Sequence, residues 1–284
     1  MVTQQERAWE RSFRRLFRRQ ADATVKRLEG QSRAKRVTEG RADAREVFDP
    51  EFWARQTAEE AAALYESLAT AAFTRLSDRF GVSFDLEAEF AQEFITSRAN
   101  QLAGQVTQTT YEAITAALAE GVGEGESIPD LAARVRAVFA DASATRAATI
   151  ARTEVIGGFG AATRAAITGL PADVVAAVQW IATRDGRTRD AHAEADGQIQ
   201  PVTSPFIVGG DPMLYPGDPN GGADNTVNCR CALAALTPAE FEAEATAFMV
   251  TPPPPVPVDR ARVALALVVP GEFDEDRFRK ALAA

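Results

Sequence analysis

Histidine and cysteine are scarce in this sequence, which has one histidine and two cysteines among 284 residues. Two cysteines spaced Cys-x-Cys do not form a disulfide framework, and their proximity disfavours a relaxed bridge between them. The chain also lacks a run of about twenty apolar residues, so no transmembrane helix is expected. Its first residues lack the apolar core of a signal peptide, which favours synthesis in a reducing cytoplasm.

Charge is unevenly distributed along the chain, although the formal net charge is only −9. Residues 1–45 carry a net charge of +7, and the remaining residues carry −16. A basic segment of this kind indicates an acidic partner, either nucleic acid or an acidic protein surface. The rest of the chain is predicted to be a poor general DNA binder, because an acidic surface repels phosphate.

Residues 1–48 are predicted to form a basic amphipathic helix, over residues 3–29, followed by a polar, mobile linker over residues 30–47. The apolar stripe of the helix is Trp9, Phe13, Leu16 and Phe17. The arginines expected to contact DNA or an acidic partner are Arg11, Arg14, Arg15, Arg18 and Arg19. A second interpretation remains open, in which the helix packs by its aromatic stripe and the arginines form a solvated face.

Residues 49–170 are predicted to form an antiparallel helical stalk or bundle. Its helices are expected over residues 49–80, 85–120, 127–139 and 143–168. Asp49 is expected to cap the first of these helices, with Pro50 at the first helical position. Phe90 is assigned to the inner stripe of the second helix, and its aromatic neighbours are interpreted as core.

After Pro171 the pattern changes to short apolar runs separated by glycine and proline, which predicts a small α+β module over residues 171–250. Strands are expected over 174–181, 199–208 and 230–236, and helices over 188–195 and 237–248. Thr188 is the expected cap of the first helix, and residues 209–226 are expected to form a loop. The fold class predicted for the whole chain is mainly α, with an elongated helical N-terminal part, this module and extended terminal arms.

The C-terminal arm is predicted over residues 251–284. Four consecutive prolines over 252–255 indicate a polyproline II spacer, which is stiff and extended. The apolar run Val263–Val269 then fits addition to a neighbouring subunit's sheet or groove, or folding back onto its own module.

The rare residues converge on one stretch, from Trp180 to Cys231, which holds the only histidine and both cysteines. Its motifs are Ala151-Arg152-Thr153-Glu154, Thr183, Asp185, Arg187-Thr188-Arg189, His192, Asp196-Gly197-Gln198 and Asn228-Cys229-Arg230-Cys231. In order and spacing these residues resemble the phage minor head protein family, also called head morphogenesis or Mu F-like proteins. The resemblance covers about residues 145–235.

The resemblance implies a virion structural protein of the phage capsid, acting in head morphogenesis at the portal vertex or capsid interior, and not an enzyme. The expected partners are the portal protein and the major capsid or other head proteins, with packaged double-stranded DNA as a further candidate and no membrane. The module is expected to be held by a structural pin of Arg152, Glu154, Trp180, Asp185, Arg189, His192, Asp196, Cys229, Arg230 and Cys231. Glycines at 157, 158 and 160 are expected to let the module approach its helix closely.

Three alternatives use the same rare residues or the basic helix. His192, Cys229 and Cys231 are potential zinc ligands, but three ligands with Arg189 beside them do not close a structural site, so no metal or cofactor is predicted. His192 and Cys229 also fit a Cys–His nucleophile pair, or a toxin-like, nuclease-type module with His192 as general base. A free-standing DNA-binding protein is the third alternative, and steep salt dependence would support it.

Overall fold

The computed structural model of the protein describes residues 2–30 and 44–248. The helices in these ranges are α1 Val2–Gly30, α2 Ala44–Val47, α3 Pro50–Phe80, α4 Glu89–Gly123, α5 Ile128–Thr168, α6 Asp190–Ala195, α7 Gly222–Thr226 and α8 Pro238–Phe248. The strands are β1 Ala177–Ile181, β2 Ile199–Gln200, β3 Phe206–Val208, β4 Asp211–Met213 and β5 Ala232–Leu236. The predicted mainly α fold with a small α+β part near the C-terminus is confirmed. The predicted tail over residues 251–284 lies outside the described ranges.

The chain divides into two compact units, whose limits fall within helices α3, α4 and α5. Of the described residues, those up to Ser67 and Gln92–Ala151 form unit 1, and Leu68–Ala91 with those from Arg152 onward form unit 2. Among the described residues, no helix combines the length and apolar character needed to span a membrane.

Aromatic side chains form the centre of unit 1. Trp9 and Phe13 of α1 are fully buried, and the ring of Trp9 meets Tyr65 of α3 edge-on at 4.9 Å between centroids. Tyr65 in turn contacts Phe94 of α4 at 5.9 Å. Each fully buried aromatic side chain of this size contributes about 1.5–3 kcal/mol to stability. The stripe of α1 therefore belongs to the core of unit 1, which supports the interpretation in which the helix packs by its aromatic side.

The helix ends of unit 1 are held by side chains, and the predicted Asp49 cap is one of them. The Phe52 amide donates to the Asp49 carboxylate at 2.9 Å, so Asp49 caps α3. The turn between α4 and α5 is held by Arg134, whose guanidinium contacts the carboxylates of Glu120, Glu124 and Glu126. These carboxylates raise the pKa of Arg134, mainly through the hydrogen bonds that Arg134 donates to Glu126.

Several predictions for the helical part are wrong in detail. Val47 and Phe48 are fully buried, so the segment predicted as a linker up to residue 47 contributes to the core at its end; residues 31–43 lie outside the described ranges. Helix α5 continues through residues 139–143, because no glycine or proline there interrupts its hydrogen bonds. Phe90, assigned to an inner stripe, is 38% exposed at the start of α4, which begins later than predicted.

The α+β part of unit 2 has two antiparallel sheets. The first has the strand order β2-β1-β5, with Val178 paired to Ala235 and to Gln200. The second is the hairpin of β3 and β4, in which Phe206 pairs with Met213. Trp180 of β1 and Phe206 of β3 are fully buried, and their rings lie 5.6 Å apart. This pair forms the apolar centre on which the short helix α6 packs.

The structure corrects three predictions for this part. The strand predicted over 199–208 is two strands in different sheets, separated by a turn at residues 201–205. The loop predicted over 209–226 contains β4, a 3-10 turn over Pro219–Gly221 and α7. Thr188 does not cap α6, since its hydroxyl donates to the Thr183 carbonyl and Arg189 occupies the cap position.

Candidate functional site

His192, Cys229 and Cys231 come together in a buried cluster. Helix α6 presents His192, and the segment before β5 presents the two cysteines. The Nδ1 atom of His192 lies 3.2 Å from the Sγ atom of Cys231 and 3.7 Å from that of Cys229. The three side chains are 2%, 3% and 1% exposed in the order His192, Cys231, Cys229. The scarce residues of the sequence thus meet at one point inside the fold.

The two thiols of the cluster have different environments. The Cys231 amide donates to the Sγ atom of Cys229 at 3.4 Å. A hydrogen bond from the neighbouring Cys229 thiol, assisted by His192, lowers the pKa of the Cys231 thiol. The same neighbour and burial raise the pKa of Cys229. The cluster therefore holds one negative charge more readily than two.

An ion pair closes the loop on one side of the cluster. Both guanidinium nitrogens of Arg230 contact the carboxylate of Asp185, at 2.5 and 2.7 Å. The Thr183 hydroxyl donates to the Arg230 carbonyl at 2.7 Å, and the Arg187 amide donates to Asp185 at 2.9 Å. The Arg230 guanidinium holds the pKa of the Asp185 carboxyl well below its usual range. These contacts fix the backbone of Arg230, next to Cys231.

The Asp196-Gly197-Gln198 segment connects α6 to both sheets. The Asp196 carboxylate accepts from the Ala182 amide and from Arg184 Nε, each at 2.8 Å. The Gln198 side chain donates to the Ile207 carbonyl at 2.8 Å and accepts from the Ile207 amide at 3.1 Å. The amide side chain therefore pairs with β3 as another strand would, which accounts for a glutamine at this position.

The cysteine segment is attached to α5 through Thr153. Asn228 has a φ of 56°, in the left-handed region that asparagine tolerates better than most residues. Its amide donates to the Thr153 hydroxyl at 3.1 Å. Arg152 was expected to make this attachment, but it is exposed and forms no hydrogen bond or ion pair with the described residues. Glu154, the residue after Thr153 on the same helix, is partly buried.

Residues 112–234 match the family described as Phage Mu protein F like protein, and this stretch is called the Mu F-like region below. The matched region contains every residue of the cluster and its supports, and it confirms the resemblance seen in the sequence motifs. The match begins within α4, earlier than the motifs alone indicate. Comparison with curated proteins and with solved structures gives no match. The match therefore supports a role as a phage head-related structural protein.

Within the Mu F-like region, helix α5 and the loop between β4 and α7 come into close contact at glycine residues. A Cβ atom placed on Gly217 would lie 2.7 Å from the Gly157 Cα, and one on Gly160 would lie 3.1 Å from the Pro216 carbonyl oxygen. The distance at Gly217 is shorter than a real Cβ atom tolerates, so only glycine fits there, and a side chain at Gly160 would require its neighbours to shift by a few tenths of an ångström. The predicted close approach at 157 and 160 is therefore present, and the partner of α5 there is the loop between β4 and α7.

Sequence reasoning missed the buried Arg164 of the Mu F-like region. Its guanidinium donates to the carbonyls of Leu214 and Ser204, at 3.0 and 2.9 Å, and so holds two loops to α5. Burial lowers the pKa of Arg164 to about 10. The signal in the sequence was an arginine among alanines and glycines on a helix face that packs, where a long polar side chain needs backbone partners.

Two further side chains missed in the sequence organise the loop of the Mu F-like region. Asp218 accepts from the Leu214 and Asn220 amides, at 2.7 and 3.0 Å. Asn225 donates to the Val208 carbonyl at 3.1 Å and to Asp211 at 2.9 Å. Turn-forming asparagine and aspartate residues commonly bond to nearby backbone in this way. Their positions inside a glycine- and proline-rich stretch were the available signal.

The remaining predicted pin residues, Arg189 and Trp180, contact the cysteine segment and His192. Arg189 donates to the Val227 carbonyl, and Trp180 packs edge-on against His192 with centroids 5.8 Å apart. The cluster offers no exposed nucleophile or base, because its histidine and cysteines are almost completely buried. The cluster can hold a loop in place or bind a small ion, and its three side chains are not accessible to a substrate at the surface.

Proposed function

We propose that this protein is a minor head protein of a phage, a virion structural protein that acts in head morphogenesis. The observation that carries the proposal is the Phage Mu protein F like match over residues 112–234. Its site of action is the portal vertex or the capsid interior, and its partners are the portal protein and the major capsid or other head proteins. The protein acts by binding.

The contacts of the Mu F-like region support a binding role. Arg189 and Asp196 bond to backbone groups, and Arg230 bonds to the Asp185 carboxylate. Such bonds fix irregular backbone, and the buried groups they satisfy would otherwise cost about 1–3 kcal/mol each. A rigid module of this kind presents a constant surface to a partner, which favours assembly with other head components.

The outer face of α1 supports packaged DNA as a further partner. Its arginines at positions 11, 14, 15, 18 and 19 are all exposed, while the aromatic stripe opposite them is buried in unit 1. Arg14 pairs with Glu10 at 2.5 Å, and Arg15 and Arg19 lie 3.6 and 3.9 Å from Glu60. Arg11 and Arg18 form no ion pair with the described residues, so their charges are available to phosphate.

Purified heads of the phage that encodes this chain test the proposal directly. Quantitative mass spectrometry is expected to find the protein in the head at far fewer copies than the major capsid protein. A nonsense mutation in its gene is expected to leave particles that misassemble or fail to deliver DNA, and a plasmid copy restores them. Heads that lack the protein and remain fully infectious would contradict the proposal.

The rival function, a toxin-like or nuclease-type enzyme with His192 as general base, is separated by a second experiment. DNA and RNA are incubated with the folded wild type and with its His192→Asn and Cys229→Ser variants. We expect no cleavage by the wild type and no difference between it and either variant. DNA or RNA cleavage by the wild type that stops in the folded His192→Asn variant would establish the enzymatic alternative.

A further inference from the structure

We propose that His192 Nδ1 and the Sγ atoms of Cys229 and Cys231 bind one thiophilic metal ion, with zinc as the expected species. The three groups are contributed by two segments far apart in the sequence, α6 and the stretch before β5. Each offers its ligand atom to the same point, since all three atoms lie within 4.8 Å of one another. The inference concerns a site in the folded module and does not depend on the proposed role in the phage head.

The distances between the ligand atoms fit a tetrahedral zinc ion. For Zn–S of about 2.3 Å and Zn–N of about 2.05 Å, tetrahedral angles place nitrogen about 3.5 Å from each sulfur. The observed separations of His192 Nδ1 from Cys231 and Cys229 Sγ are 3.2 and 3.7 Å, on either side of that value. An ion is therefore accommodated by shifts of a few tenths of an ångström.

The surroundings of the ligand atoms also favour a metal. His192 Nδ1 is the ring nitrogen that faces the two sulfur atoms. The Cys231 amide points at the Cys229 sulfur at 3.4 Å, a contact that stabilises a metal-bound thiolate. Nearly complete burial of all three side chains holds the ligand atoms in a fixed arrangement before the ion binds.

Charge balance removes the objection that Arg189 stands beside the cluster. Two thiolates and a neutral imidazole neutralise a divalent ion, so the occupied site carries no net charge for the guanidinium to repel. Arg189 is moreover engaged with the Val227 carbonyl, which keeps the cysteine segment in place. The soft sulfur ligands select zinc or a similar ion over magnesium and calcium, which prefer oxygen.

The ligand set has three protein members within the described part of the chain. Three protein ligands leave the fourth tetrahedral position to a water molecule or another small donor. The whole sequence has one histidine and two cysteines, and all three are in this cluster. Any thiolate–metal signal from the purified chain consequently reports on this site, without background from other cysteines.

Cobalt substitution of the full-length, reduced and metal-free protein tests the inference. One molar equivalent of Co²⁺ is expected to bind, giving the intense visible bands of tetrahedral cobalt and a near-ultraviolet thiolate-to-cobalt charge-transfer band. Zn²⁺ is expected to displace the cobalt stoichiometrically and to raise the thermal midpoint of the protein. The variants Cys231→Ser and His192→Asn are each expected to lose most of the charge-transfer or ligand-field signal.

Glu194→Gln is the matched control, because it changes an exposed carboxylate on the helix that carries His192 and leaves all three ligands in place. It is expected to retain stoichiometric cobalt binding. Wild-type protein that is folded and reduced yet binds cobalt only substoichiometrically, or in octahedral form, would overturn the inference. That result leaves a hydrogen-bonded thiol–imidazole cluster and does not affect the assignment to phage heads. If the ligand variants do not fold, the wild-type titration decides alone.

Discussion

Asp185 and Arg230 show how single side chains hold the irregular part of this fold. Their ion pair is two-pronged and lies at the surface, so solvent and salt weaken it. It nevertheless joins two segments 45 residues apart in the sequence and flanks Cys231. Because Asp185 also accepts the Arg187 amide, its charged form has two partners that the neutral form would lose.

We expect Asp185→Asn to reduce the acid sensitivity of the protein. The pKa of Asp185 is lowered in the folded state, so its contribution to stability is present above the ordinary aspartate pKa near 4 and is lost as the pH falls below it. Thermal unfolding of both proteins between pH 7 and pH 2 measures this. The difference in stability between wild type and variant should shrink as the pH decreases.

Asp173→Asn is the control for this prediction, since Asp173 is exposed in the same unit and its side chain forms no hydrogen bond or ion pair with the described residues. It should follow the wild-type pH profile. An Asp185→Asn variant whose deficit stays constant down to pH 2 would show that the carboxylate charge does not matter.

The sequence motifs predicted the residues of the cluster better than their roles. His192, Cys229 and Cys231 converge, and Asp185 and Arg230 pair, although their spacing alone could not say which side chain meets which. Thr153, not Arg152, bonds to the cysteine segment, because helix rotation decides which residue faces the module. The tertiary partners of Arg164 are loop carbonyls, which carry no side-chain signature in the sequence.

Among the helices and strands, those with strong local signals were predicted and those fixed by distant contacts were not. Asp49-Pro50 began α3, and Thr237 with Glu240 caps α8 as a reciprocal pair. The β3–β4 hairpin was missed because its residues read as turn formers. Gln198 and Asn225, from outside the hairpin, supply bonds that hold its backbone.

The contact between α5 and the loop at Gly217 should be intolerant of any side chain. In Gly217→Ala, the alanine would have to adopt the positive φ of +79° that Gly217 has, and its Cβ atom would clash with Gly157. A left-handed alanine costs about 1–2 kcal/mol, and overpacking adds about 1–3 kcal/mol. Chemical denaturation should therefore show a loss larger than that of Gly210→Ala, which has a φ of +88° and open space around its Cβ position. Equal losses in the two variants would show that the close approach is not needed.

For the molecule as a whole, the charge asymmetry and the fold of α1 limit how DNA binding is tested. The basic helix supplies Trp9 and Phe13 to the core of unit 1, so its deletion would remove buried aromatic residues together with the arginines. Replacing a single buried tryptophan or phenylalanine by alanine already costs about 3–5 kcal/mol. A truncated protein that loses DNA affinity would consequently not distinguish lost contacts from unfolding, and exposed point variants are required.

The double variant Arg11→Ala/Arg18→Ala is expected to weaken binding to double-stranded DNA and to flatten its salt dependence. The two residues lie seven positions apart on one face of α1, about 10.5 Å along its axis. Each phosphate contact contributes about 0.9 to the slope of log K against log salt, so the slope should fall by about 2. Arg15→Ala/Arg19→Ala removes the same charge near Glu60 and should change the slope less, because that carboxylate already offsets the two arginines.

Equal slopes for both variants would show that DNA binding depends on the net charge of the helix and not on Arg11 and Arg18 in particular. No binding by the wild type at low salt would contradict packaged DNA as a partner of this helix.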